Sequence, residues 1–142
     1  MTPITFTTER IFKAPRKDVW RALTEKELMK QWYFDLPEFR AEVGFTFGIT
    51  GGEEGGTQYE HHFEIVEVIP EQKLKHTWCF VGYEGISYLS YELFDEGEHT
   101  KLILTHSGLE TFPADNPDFE YHKFEIGWNT ILDMSLKNFL EK

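Results

Sequence analysis

The sequence holds one cysteine, Cys79, so no internal disulfide can form, and 142 residues suffice to bury a core without such a staple. No apolar run approaches the ~18 residues of a membrane span, and Met1 to Arg10 lacks a basic segment leading into an apolar one. A cytoplasmic protein without membrane insertion is expected. Basic side chains are scarce: 14 Lys and Arg stand against 25 Asp and Glu, a net charge of −11. That field repels phosphate backbones, and no basic stripe counters it locally, which argues against nucleic acid as a partner.

The usual catalytic and metal-binding spacings are also missing. No helical His pair or C-x-x-C occurs, and the adjacent His61 and His62 point to opposite faces of a strand, so neither metal nor cofactor is expected. There is no G-x-S-x-G elbow, Ser107 faces away from His106, and Cys79 alternates with Trp78 and faces away from any pocket. The stretch Gly51 to Gly56 contains Glu53 and Glu54 and leads into no helix, so it reads as a hairpin turn rather than a phosphate loop.

Aromatic residues are what the sequence has in excess, 16% of the chain with 13 Phe. Wide rings need a large space or a ligand to meet. Alternation over Ile4 to Lys13 predicts a first strand, and Pro15 with Val19, Trp20, Ala22 and Leu23 a short helix over 15–24. Thr24 is placed to cap a second short helix ending before Pro37. A period of two from Phe39 to Ile49 predicts the next strand, and Thr57–Ile69, Lys73–Val81, Ile86–Phe94 and Thr100–Ser107 give four more. Short turns between them imply antiparallel neighbours. Asn116-Pro117 opens an unbroken helical pattern to Leu140, roughly 36 Å long. The pattern describes one α+β domain over 1–142, in which the long helix covers the apolar face of a curved sheet.

A cavity between sheet and helix would be lined by Trp32, Phe45, Phe47, Phe63, His76, Trp78, Phe80, Leu89, Tyr91 and Leu104, and from the helix by Gly127, Trp128, Ile131 and Ser135. His106 shares the inward face of Leu102 and Leu104, and is either a proton-transfer or ligand-orienting group or a core histidine bonded to backbone. Gly127 costs about 1 kcal/mol in a helix interior, a cost explained by close helix–sheet approach or by room for a ligand. Ser135, small and polar in an apolar stripe, favours a cavity with one polar contact. Around Phe63 to Ile69 a bulge would exchange Phe63 and Ile65 for Val66 and Val68 as the inward set.

Ala14-Pro15 followed by Val19 to Thr24, then Trp32-Tyr33, Pro70 to Leu74, Thr77-Trp78, Thr105 to Leu109 and Gly127-Trp128 with Leu132 together resemble the landmarks of one family. It is the family of homologues of the activator of heat-shock protein 90 ATPase (AHSA1-like), in the START-like, or SRPBCC, superfamily. The resemblance implies a helix-grip fold like that of the birch-pollen allergen, with a six-stranded antiparallel sheet, two short helices after the first strand and a long C-terminal helix, and a histidine at His106. The function expected is binding of a small hydrophobic or aromatic ligand. A cyclase- or hydrolase-like reaction in the same pocket, with His106 moving the proton, is one alternative; chaperone contact is another. Eukaryotic activators of that family carry a separate N-terminal chaperone-binding domain, whereas this chain starts at its first strand, so direct ATPase stimulation is not expected.

Overall fold

The computed structural model describes residues 2–142. Strand β1 (Phe6–Phe12) leads into helices α1 (Arg16–Thr24) and α2 (Lys26–Trp32). Five strands follow: β2 (Thr46–Gly51), β3 (Tyr59–Ile69), β4 (Lys73–Phe80), β5 (Ser87–Glu96) and β6 (His99–Ser107). The chain ends in α3 (Tyr121–Thr130), which runs through π-helical turns at Ile131–Leu136 into α4 (Lys137–Leu140). The strands form one antiparallel sheet in the order β1-β6-β5-β4-β3-β2. Because β1 pairs with β6, the first and last strands are neighbours, while β2 stands at the far edge and the later strands return by hairpins toward β6.

The strand alternation sets the inward face. On β6, Leu102, Leu104 and His106 are fully buried, and Leu89, Tyr91 and Leu93 of β5 and Leu74, His76, Trp78 and Phe80 of β4 continue that face. The helix meets it with Phe124, Trp128, Leu132 and Leu136, a stripe spaced by four. Four residues overshoot a full α-helical turn, so such a stripe drifts around an ordinary helix. The wider turns at Ile131–Leu136 wind less per residue and return Leu136 to the sheet. Arg10 fastens this segment to β1, donating through Nε to Asp133 Oδ1 at 2.6 Å and through Nη2 to Asn129 Oδ1 at 2.8 Å.

Several boundaries differ from those the sequence predicts. The strand expected from Phe39 begins only at Thr46, because the chain turns at Glu42–Phe45 with Gly44 at φ 93°, a conformation that breaks a strand. Phe39 still packs edge-on against Phe45 and Phe47, so the apolar spacing reports ring packing rather than strand pairing. Pro15 is the extended residue ahead of α1 rather than its first helical residue. Thr24 closes α1 by donating to the Trp20 carbonyl at 2.7 Å instead of capping α2, whose N-cap is Glu25. Asn116 caps only a 3-10 turn at Pro117–Phe119, accepting from Asp118 N at 2.9 Å. Glu120 is extended, so the helix starts at Tyr121 and spans about 30 Å rather than 36. The bulge in β3 falls between Ile65 and Glu67, and it adds Val68, opposite Leu74, to the inward set without expelling Phe63 or Ile65.

If the π turns hold Leu132 at the core and Met134 outside, truncation separates the two. Leu132→Ala should cost about 2–5 kcal/mol in urea denaturation, whereas Met134→Ala, at a residue 59% exposed, should change stability by no more than about 0.5 kcal/mol.

Candidate functional site

A cavity of about 320 Å³ opens at one end of the sheet–helix interface. Tyr59 and His61 of β3 and Trp78 and Phe80 of β4 form its floor. They share a face because each pair is two residues apart, and His61 stands opposite Phe80 in the register. The roof comes from Phe119 and from Phe124, Gly127, Trp128 and Ile131, which recur at helical spacing on α3 and its extension. The hairpin tip between β2 and β3, Gly51 to Thr57, closes the outer side.

The rings brace one another. Phe80 stacks on Phe119 with centroids 4.4 Å apart, and Trp78 meets Trp128 edge-to-face at 5.5 Å. A Cβ added to Gly127 would meet nothing within 4 Å. Of the two reasons for a glycine here, close helix–sheet approach is therefore ruled out, and open space at the cavity remains. Trp78 Nε1 is buried in the wall and has no acceptor among the described residues.

Behind Trp128 lies a chain of hydrogen bonds whose polarity is fixed at both ends. Trp128 Nε1 donates to His106 Nδ1 at 3.1 Å, which makes Nε2 the protonated nitrogen; that group donates to Ser87 Oγ at 2.8 Å, and Ser87 donates to the Trp78 carbonyl at 2.8 Å. Both ring nitrogens of His106 are thus engaged, and burial, with His76 nearby, pushes its pKa down to about 3. His106 is fully buried and forms no part of the cavity lining. It is a core histidine, as one of the two readings had it, but its ring is bonded to the side chains of Trp128 and Ser87 rather than to backbone.

The other predicted positions divide by place. Trp78, Phe80, Gly127, Trp128 and Ile131 line the cavity. Trp32, Phe47, His76 and Tyr91 surround a separate void of about 10 Å³, room for one water at most. There Trp32 Nε1 donates to the Ala22 carbonyl at 2.9 Å, and His76 Nδ1 donates to the Thr77 carbonyl at 2.7 Å, leaving His76 neutral with its pKa pushed down to about 4 by burial. Phe63, Leu89 and Leu104 are core, and Phe45 is half-buried beside Phe39 and Phe47. Ser135 does not reach the cavity: it lies in an outer groove beside Lys30 and Gln31 of α2, on the flank of the helix rather than on the stripe facing the sheet.

The sequence reading weighed His61 only as a metal ligand, left Phe119 and Phe124 out of the cavity lining, and treated Gly51 to Gly56 as a turn without a role. The alternation Tyr59, His61, Phe63, Ile65 could have found His61, and the four-residue step back from Trp128 could have found Phe124. His61 Nδ1 donates to the Tyr59 carbonyl at 3.0 Å, and partial burial lowers its pKa. At the mouth, Tyr59 donates to Asp118 Oδ2 at 2.6 Å, and Lys123 pairs with Glu53. Among the described residues no three His, Cys, Asp or Glu side chains group closely enough to hold a metal ion. No described helix is long and apolar enough to cross a membrane.

A curved antiparallel sheet gripping a C-terminal helix over a partly open aromatic cavity defines the helix-grip class. The chain belongs to the family described as Activator of Hsp90 ATPase homolog 1-like protein, which residues 13–141 match. Its fold is similar to that of the Mll3558 protein from Rhizobium loti, at 21% identity over 98% of both chains with a TM-score of 0.80. It is also similar to the MLL2253 protein from Mesorhizobium loti, at 26% identity over 97% of both chains and 0.77. The Aha1 dimer from Colwellia psychrerythraea, solved in solution, matches at 22% identity over 97% of this chain and 96% of that one, with a TM-score of 0.73. No curated protein matches the sequence.

The two buried histidines make stability depend on pH. Their folded-state values lie below the ordinary 6.5, so the unfolded chain takes up protons first as pH falls. Their contribution is complete above about pH 6.5 and drains away toward pH 4 and below. In urea denaturation followed across that window, His106→Gln and His76→Gln should each lose stability less steeply with acidification than the parent. Equal slopes would show the histidines to be protonated alike in both states.

Proposed function

We propose that this protein binds a small, flat, apolar or aromatic molecule between β3–β4 and α3, and that binding rather than chemistry is its task. The observation that carries this reading is the open space of about 320 Å³ walled by Trp78, Phe80, Phe119, Phe124 and Trp128. That volume is at the small end of ligand sites, and a predominantly aromatic wall suits ring stacking. The enzymatic alternative loses the support of its named proton carrier, because His106 has no free nitrogen to offer.

Gly127 provides the test. Gly127→Ala, at a site with nothing within 4 Å, should raise stability by up to about 1 kcal/mol through helix propensity. Gly127→Leu should keep the fold yet weaken binding of 2-acetylnaphthalene, read by quenching of tryptophan fluorescence, by about tenfold or more as the side chain takes the space. Saturable binding that survives Gly127→Leu unchanged, or no binding by the parent protein, would remove the cavity from the account.

A further inference from the structure

The mouth of the cavity bears on what end-group such a ligand carries, an argument that rests on the reading just given. Lys123 is the one lysine or arginine among the lining residues, and its Nζ is bonded to Glu53 Oε1. The two partners are unequally placed. The Glu53 side chain is 65% exposed, while that of Lys123, on the cavity lining, is 31% exposed. Glu53 sits on the hairpin tip, where its carbonyl accepts from Gly56 N at 2.9 Å and from Gln58 Nε2 at 3.0 Å, so the turn keeps its own bonds when the side chain lets go. Releasing Glu53 returns a carboxylate to water at small cost. Leaving Lys123 without an anion costs more, because water reaches it less.

Among the described residues Asp118 makes no ion pair with Lys123; its Oδ2 accepts the Tyr59 hydroxyl at 2.6 Å, and only its field reaches the ammonium. Glu53 first, then the fields of Asp118 and Glu120, hold the Lys123 pKa above its ordinary value, so the ammonium stays charged. An incoming carboxylate would exchange one anion for another on Lys123 while its body meets the rings. We propose that the ligand is a flat apolar acid whose carboxylate displaces Glu53 from Lys123 at the mouth. In this scheme Glu53 is a built-in competitor, and Lys123 is the specificity-determining residue.

The experiment compares naphthalene-2-carboxylate with naphthalene-2-carboxamide, near-isosteres that differ in charge, by titration calorimetry on the full chain and on Glu53→Gln and Lys123→Met. Both substitutions are at partly exposed side chains, and circular dichroism checks the fold. The carboxylate should bind about fivefold more tightly than the amide, the worth of a partly exposed charge-assisted bond. That ratio should rise in Glu53→Gln, where the competitor is gone, and fall toward one in Lys123→Met. A ratio near one in both the parent and Glu53→Gln, or one indifferent to Lys123→Met, with the amide still bound, would overturn the acid preference and leave the cavity reading intact. Failure of both compounds to bind any variant would remove the two together.

Discussion

The hydrogen-bond chain from Trp128 through His106 and Ser87 to the Trp78 carbonyl ties the C-terminal helix to β6, β5 and β4 at once. Apolar packing alone would let a ring as large as Trp128 settle in several orientations against the sheet. Here its N–H must find His106 Nδ1, since burying the donor unpaired costs about 1–3 kcal/mol. One polar contact thereby sets the plane of the indole, and the indole in turn forms the inner wall of the cavity. The histidine that looks most chemical in the sequence holds a wall in place, and its neutrality follows from that task. A charged imidazole would have to point a second N–H at the indole N–H.

Whether a sheet and a helix close on each other depends on which side chains meet. At the end near α2, Trp32, Phe47, His76 and Tyr91 reach inward from four elements, with Phe39 from the loop between two of them, and leave about 10 Å³. At the other end the same kinds of ring stand along the walls, while Gly127 offers no side chain where the helix would need one to fill the gap. The packed end and the open cavity thus differ by a missing side chain on α3 and a hairpin tip of glycines opposite it. Neither half of the interface is more aromatic in kind.

Much of this was legible in the sequence. Strand alternation yielded five of the six strands within a few residues, and Leu102, Leu104 and His106 marked the inward face correctly. The failures have physical causes. The run Phe39 to Phe45 alternates because Phe39 and Phe45 pack on Phe47, which a turn at Gly44 permits as readily as a strand. The π turns that take Ser135 off the sheet-facing stripe leave no mark in residue type, because they are a response to tertiary packing. The cavity's outer side comes from a hairpin tip whose glycines signal only a turn, and its approach to Lys123 spans 70 residues of sequence. Periodicity reports which face a residue takes, and says nothing of whether the opposite face supplies a partner.

The site also lies where the fold is least committed. β2 is an edge strand of six residues, paired on one side only, and its hairpin tip reaches the helix through the pair of Glu53 with Lys123. Segments with few buried contacts and solvent-exposed backbone open at the low end of a protein's stability range. The inner wall is tied to the sheet by the buried chain through His106, while the outer wall meets the helix through an ion pair near the surface. The two walls thus rest on separate bonds, so loss of the surface pair leaves in place those that join β4, β5 and β6 to the helix.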